Sequence, residues 1–489
     1  MDVKLAGFNL DCDIMDELNA AAGPRILTPE TFSAAYARIS RSAKDVTLLR
    51  RDACRDVEKA RNSNQHIIFE MGHHSVAEHA VFNFDIMGVS RLALEELEKF
   101  RLISYTEKSQ RYVTQSGDFV VPEELLATKE RDLFLDTLGR QNTFYFQAFA
   151  ALKEYTFARH RRLAENAANH RLLEGWAKED ARYVLPLATV GQVGMTINAR
   201  NLEHLFRRFS ISALAEVREL GRRMYDLIKD VAPSIILFPQ ASDFEKDAGR
   251  ELRAALAKRC RYPLPSAEAG PVLVDYTPAA DERILAAFLT ANGRTGYRSA
   301  IKLIRRWSEA EKRSIFKFFF QTLNFYDHVP REFELVHFTF QTMLSASAFA
   351  QLKRHRMATL LAGDYDPDLG NTIPSSFAAT DLKGEFLKII RQSNRTYRAL
   401  QPSLGAVAAY VLTNSHRRPI MMKMNLREFY HFVRLRDDEH AQWDIRRLTA
   451  QLIRLVRPLM PSAGMLLCGK SRFAQTYENI YKKKPRFLI

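Results

Sequence analysis

The sequence predicts an α+β protein of two homologous domains, each a small, mainly antiparallel sheet packed with several long helices. Three observations carry this reading. A strand-like alternation followed by an apolar helix and a basic cluster occurs twice: His79-Ala-Val-Phe-Asn-Phe-Asp-Ile runs on to Lys99-Phe100-Arg101, and Val336-His-Phe-Thr-Phe-Gln runs on to Arg354-His355-Arg356. Ala181-Arg-Tyr-Val-Leu185 returns as Ala408-Ala-Tyr-Val-Leu412, and Asn198-Ala-Arg200 returns as Asn425-Leu-Arg427, each pair 227 residues apart. Finally, the strands gather among helices instead of alternating with them, which favours α+β over a doubly wound sheet.

In chain order, residues 1–240 form the first expected domain, 241–275 a connector and 276–489 the second domain. Each domain is expected to hold a short pair of strands. The helix after the first strand is expected over Leu92–Arg101, where Leu94, Leu97 and Phe100 share one face. Closing helices fall around 212–230 and 440–457. The connector is marked by a charged stretch and by Pro263, Pro265, Gly270 and Pro271.

Composition narrows the function classes. Of 489 residues, 46% are hydrophobic and 26% charged, which excludes a largely disordered chain. Seventy-two basic against 57 acidic residues leave a net charge of +15, a field that attracts nucleotides, phosphorylated cofactors or nucleic acid. No apolar stretch is long enough to span a membrane, and acids stand where a signal peptide would be apolar, so a cytoplasmic protein is expected. Cys12, Cys54, Cys260 and Cys468 have no C-x-x-C spacing, which argues against a thiolate metal site or a disulfide framework. His74 and His79 are five apart, whereas a zinc helix needs four, so no metal is expected there. The basic tail Lys482-Lys-Lys-Pro-Arg486 reads as a solvated end, and nucleic acid is not the expected partner.

The chemistry lies near the basic clusters. In Glu107-Lys-Ser109-Gln110-Arg111-Tyr112, a hydroxyl and a guanidinium two residues apart can reach one phosphate. This motif follows Gly72-His73-His-Ser75-Val-Ala-Glu78-His79, the strand, the helix and Lys99-Phe100-Arg101. In that order and spacing, both halves resemble the flavin-dependent thymidylate synthases. Against that family's Arg-His-Arg signature, the first copy keeps Arg101, Ser104, Glu107, Ser109, Arg111 and Tyr112 but has Lys99 and Phe100 at its front. The second keeps Gln351, Arg354, His355 and Arg356, but Asp364 follows without the Ser or the Arg. Downstream, the first half keeps Arg182 and has Phe209 where the family has a second Arg; the other half has Ala409 and keeps Arg436, ahead of His440-Ala-Gln-Trp443. Each half lacks what the other retains.

The resemblance implies an enzyme whose nucleotide site spans a subunit interface. It predicts one working composite site, with Arg436 activating the pyrimidine and Gln351, Arg354, Glu107, Ser109, Gln110, Arg111, Tyr112 and Arg182 binding substrate. The decayed counterpart would hold Glu96, Lys99, Phe209, Asp364 and Ala409. FAD would be held by Ser75, Glu107, Arg354, His355, Arg356, His440 and either Asn198 and Arg200 or Asn425, Arg427 and His431. Methylene-tetrahydrofolate and NADPH are the implied co-substrates, dUMP the implied pyrimidine nucleotide, and a homodimer forming a pseudo-tetramer the implied assembly. Modification of UMP or a cytidine nucleotide, by methyl or hydroxymethyl transfer, is an alternative on the same scaffold, as is a non-catalytic nucleotide- or RNA-binding protein.

Overall fold

The computed structural model describes residues 1–10, 27–39, 42–259, 270–293 and 295–486. Cys12, Cys260, Pro263 and Pro265 lie outside the described residues. The chain divides into two compact units, Met1–Pro263 with Ser375–Thr413, and Leu264–Pro374 with Asn414–Ile489. The units therefore differ from the halves of the repeat in one segment, 375–413, which follows the second copy's basic cluster in sequence and packs within the first unit.

The first unit is built on an antiparallel sheet of β1 (Asp2–Phe8), β2 (Val81–Ser90), β3 (Ser104–Glu107) and β4 (Val190–Asn198), in the order β1-β2-β4-β3. Alternation fixes the register, because Phe82, Phe84 and Ile86 are buried while Asn83 and Asp85 face out. At the bulge in β2, Gly88 takes a φ of +68°, and a Cβ there would stand 3.3 Å from the Met1 backbone nitrogen. Ser90 ends β2 and caps the Arg91–Leu97 helix, and its hydroxyl donates to Glu216 at 2.6 Å. The 29-residue helix Arg131–Arg159 packs against Lys383–Leu404: Thr137 meets Thr396 at 2.8 Å, and Gln141 Nε2 donates to Ser393 at 2.7 Å and to the Val411 carbonyl at 2.8 Å. These buried bonds tie segment 375–413 into this unit.

The second unit repeats the sheet with β5 (Val272–Tyr276), β6 (His337–Ser345), β7 (Thr359–Ala362) and β8 (Arg417–Asn425), ordered β5-β6-β8-β7. Phe338 and Phe340 from β6 pack on Phe429 of the Leu426–Arg436 helix, each with a ring separation of 5.9 Å. Ser345 caps the Ala346–Leu352 helix and donates to Asp444 at 2.7 Å, the counterpart of Ser90 and Glu216.

The α+β class is borne out. The expected pair of strands per half is corrected to four: β3 and β7 have only four residues and β5 five with little alternation, while the seven-residue β1 alternates and was missed. The stretch expected to be a connector contains the helix Asp243–Arg259 and supplies β5. The Leu92–Arg101 helix is shorter, Arg91–Leu97, and the closing helices are Ala215–Ile228 and Trp443–Val456.

Ser345→Ala removes a helix cap and one of the hydrogen bonds to the Asp444 carboxylate, which Arg447 still pairs at 3.1 Å, so it should cost about 2 kcal/mol. At the exposed Ser308 cap of the Glu309–Phe320 helix, Ser308→Ala should cost about 1 kcal/mol. Urea unfolding midpoints of both variants check the order; equal losses would contradict it.

Candidate functional site

In the second unit, Arg436 ends the Leu426–Arg436 helix, and Gln351 and His355 lie in and just beyond the Ala346–Leu352 helix. Arg436 Nε donates to His355 Nε2 at 2.9 Å, and its Nη1 donates to Gln351 Oε1 at 2.9 Å. His355 Nδ1 lies 3.2 Å from Glu428 Oε1. A guanidinium can only donate, so His355 Nε2 accepts and the ring proton sits on Nδ1, directed at Glu428. Burial, followed by the charges of Arg436 and His431, holds the His355 pKa well below 6.5, so the ring is neutral. Burial also raises the Glu428 carboxyl. The result is a guanidinium whose plane is fixed on two sides by neutral acceptors.

This geometry corrects one detail of the Arg-His-Arg reading. Arg354 and Arg356 are exposed cations, but His355 between them is buried and uncharged, so it positions Arg436 and adds no positive charge. His431 faces His355 at 5.7 Å and His328 at 5.9 Å. His440 is exposed, and its backbone nitrogen donates to Asp438.

The first unit holds Glu107, Ser109, Gln110, Arg111, Tyr112 and Arg182. From the end of β3 the chain turns so that the Arg111 backbone nitrogen donates to the Ser109 hydroxyl at 3.1 Å, and Arg111 Nε pairs with Glu179 at 2.6 Å. Gln110 is buried, Glu107 partly so, and Tyr112 lies exposed under the Arg111 guanidinium at 5.5 Å. Arg182, in the turn after the His170–Ala181 helix, is 4% exposed. Burial pushes its pKa down to about 10; Glu179 opposes the shift, while Arg111 and Arg91 add to it. Arg91 itself pairs with Glu95 at 3.2 Å. Three guanidinium groups thus share one neighbourhood with Glu179, an environment in which a phosphate dianion would offset both burial and mutual repulsion.

In the first unit, apolar rings stand at the two central positions of the Arg436 network. Phe100 stands at the position of His355, Phe209 at that of Arg436 and His204 at that of His431. Phe100 packs edge-on against Phe209 at 6.0 Å and His204 at 5.5 Å. Lys99 pairs with Glu96 at 2.6 Å. A ring contact has replaced the hydrogen-bonded guanidinium.

The two Asn-x-Arg segments are built alike. Asn198 and Asn425 cap the Ala199–Ser210 and Leu426–Arg436 helices. Arg200 pairs with Glu78 at 2.5 Å, and Arg427 pairs with Glu334 at 2.8 Å. Ser75 is exposed in the 3-10 turn His74–His79 that carries Glu78. Sequence reasoning missed Glu428 and Glu179. Their signals were Glu428 three residues before His431 on one helix and Glu179 three residues before Arg182.

The family model described as thymidylate synthase complementing protein matches residues 25–234 and, a second time, 272–462. The chain belongs to that family and carries two tandem copies of it. The UPF0159 protein Ta1429 of Thermoplasma acidophilum is 24% identical over 458 residues, covering 84% of this chain and 88% of that protein. The flavin-dependent thymidylate synthase of Geobacter sulfurreducens is 38% identical over 172 residues, covering 34% of this chain and 65% of its own length. Among solved structures, a UMP/dUMP methylase PolB from Streptomyces cacaoi bound with 5-Br dUMP covers 48% of this chain and 92% of that chain, at 18% identity and a TM-score of 0.33. Among the described residues, no helix is long and apolar enough to cross a membrane.

Because the His355 pKa lies below its unfolded value of 6.5, the unfolded chain takes up a proton that the folded chain refuses. This contribution to stability is complete above about pH 6.5 and is lost as the pH falls below it. Protonation would also remove the acceptor for Arg436 Nε. Imidazole NMR resonances of His355 should therefore stay those of the neutral Nδ1–H tautomer from about pH 8 to about pH 6. A titration centred near the ordinary histidine value would contradict the assignment.

Proposed function

We propose that this chain is a flavin- and folate-dependent enzyme of the cytoplasm that methylates C5 of a pyrimidine nucleotide, converting dUMP to dTMP. The observation that carries the reading is complementary loss: Ser109, Arg111 and Arg182 survive in the first half, and Gln351, Arg354 and Arg436 in the second. We assign one composite site to these residues together with Glu107, Gln110 and Tyr112, formed within one chain or between the chains of a homodimer. The copies are assigned to 1–240 and 276–489, with 241–275 joining them and its last residues adding most of β5 to the second sheet.

Ser109, Arg111 and Arg182 hold the phosphate by charge-assisted hydrogen bonds. Arg436, kept rigid by Gln351 and His355, stabilises the negative charge that develops on the pyrimidine as its imide proton leaves. No cysteine is needed. The exposed Arg354 and Arg356 beside the half-buried helix start of Asn425 and Arg427 suit an anionic dinucleotide, with Ser75, Asn198, Arg200, His431 and His440 completing the candidate flavin set. When bound, FAD supplies the hydride chemistry, methylene-tetrahydrofolate the carbon and NADPH the reducing equivalents.

The test is to incubate the reduced, FAD-loaded chain with methylene-tetrahydrofolate and dUMP, UMP or dCMP and to weigh the products. Formation of dTMP supports the reading, and the absence of a methylated product from every nucleotide overturns it.

The asymmetry generates two mutational outcomes. Arg111→Ala and Arg436→Ala should each lower turnover about a hundredfold or more, whereas Lys99→Ala and Asp364→Ala, at the decayed positions, should leave it unchanged. Equal damage from both pairs in steady-state assays would contradict a single site. Arg436→Lys keeps the charge but loses the fork held by Gln351 and His355, so its single-turnover rate should also fall about a hundredfold while nucleotide affinity stays near wild type. Wild-type speed in that variant would reduce Arg436 to an anchor.

A further inference from the structure

Where β6 ends and β8 begins, the second unit holds a pocket of about 350 Å³ that shares no residue with the substrate or flavin sets. Its polar lining is Thr342, Thr372, Arg417, Asp444, Arg447 and Gln451. The strand register sets Arg417 opposite Ser345, and its Nε donates to Thr372 Oγ1 at 3.1 Å. Arg447 follows Asp444 by three residues on the Trp443–Val456 helix, and its Nη2 donates to Asp444 Oδ1 at 3.1 Å. Thr342 is only 6% exposed, lines the pocket and makes no side-chain hydrogen bond among the described residues.

Asp444 is the only carboxylate in this lining, and both of its oxygens are engaged, Oδ1 by Arg447 and Oδ2 by the Ser345 hydroxyl at 2.7 Å. Two guanidinium groups against one carboxylate leave the pocket with a net positive charge. Burial lowers the Arg417 pKa; Asp444 opposes the shift and Arg447 adds to it. The first unit shows the same place with the opposite charge. Val190 there pairs with Ser90 as Arg417 pairs with Ser345, and Glu219 and Arg223 stand 228 residues before Arg447 and Gln451. Glu219 is bonded to Arg222 at 2.7 Å and to Arg223 at 2.6 Å, and Arg223 also donates to the Met1 carbonyl at 2.6 Å. The charges of the first copy are thus satisfied internally, whereas the second copy has exchanged Val and Glu for two Arg around an open space.

We propose that this pocket is a separate anion site that binds a small phosphate monoester, its phosphate held by Arg417, Arg447, Thr342 and Gln451 and its body against Pro271, Met343, Leu344 and Leu448. Three unesterified oxygens can accept from two guanidinium forks, a hydroxyl and an amide together, where the two oxygens of a carboxylate leave donors unmet. The volume lies near the lower end of the roughly 300–1,000 Å³ range of small-molecule sites, so a compact ester fits and a dinucleotide does not.

Titration calorimetry of the full chain in excess FAD, with glycerol 3-phosphate or malonate and with or without dUMP, tests the site. Saturable binding of glycerol 3-phosphate that persists in the presence of dUMP supports the proposal. No binding, binding that dUMP abolishes, or tighter binding of malonate overturns it. Arg447→Met should weaken the phosphate probe about tenfold, and Arg417→Val, which brings in the residue of the first copy, should weaken it at least as much. Undiminished binding in either variant overturns the assignment. Thermal melts add a readout that does not depend on removing a charge. Thr342→Val keeps the side-chain shape and removes a hydroxyl that bonds to nothing in the protein, so without ligand it should melt at the wild-type temperature or above. The rise in melting temperature that glycerol 3-phosphate gives the wild type should shrink in that variant. A lower melting temperature together with an undiminished response to the probe would make the hydroxyl structural and overturn the proposal.

Discussion

A guanidinium can be held rigid by a buried imidazole only if that imidazole stays neutral, and the second unit is organised around this constraint. His355 accepts from Arg436 Nε, turns its own proton toward Glu428, and is kept from ionising by burial and by the charge it holds in place. Gln351 fixes the other side of the fork. The supporting elements answer to this need. The cap at Ser345 sets the start of the helix that carries Gln351, and the cap at Asn425 sets the start of the one that carries Glu428, His431 and Arg436. Phe338, Phe340 and Phe429 lock that second helix onto β6.

In the first unit the same scaffold persists with the constraint released. With Phe100 and Phe209 in place of His355 and Arg436, the site closes on an edge-to-face ring contact. The surrounding architecture is kept: the serine cap bonded to a carboxylate, the asparagine cap and the Glu–Arg ion pair are present in both units. The fold is therefore maintained by its caps and its sheet, and the functional cluster can be replaced without disturbing them. In the first unit the guanidinium groups of Arg91 and Arg111 lie close enough to Arg182 to lower its pKa, with Glu179 opposing them.

Much of this was legible in the sequence, for identifiable reasons. The duplication was readable because the repeats at Ala181 and Asn198 share one offset, and β2 and β6 were readable because their buried residues alternate. The edge strands were not: β3 and β7 have four residues each, and β5 comes after a Pro- and Gly-marked stretch. Gln351, His355 and Arg436 could each be named from a motif. Their mutual bonding could not be read, since Arg436 lies 81 positions from His355 and 85 from Gln351. The neutrality of His355 was hidden for the same reason, because it depends on burial by residues distant in sequence. Nor did any local signal show that 375–413 packs within the first unit, since that rests on single contacts such as Gln141 to Ser393.

The central claim is that the two copies together make one working site per chain. The most direct measurement is the stoichiometry of dUMP binding to the FAD-loaded chain by titration calorimetry. One nucleotide per chain is the predicted result, and two equivalent nucleotides per chain would contradict it.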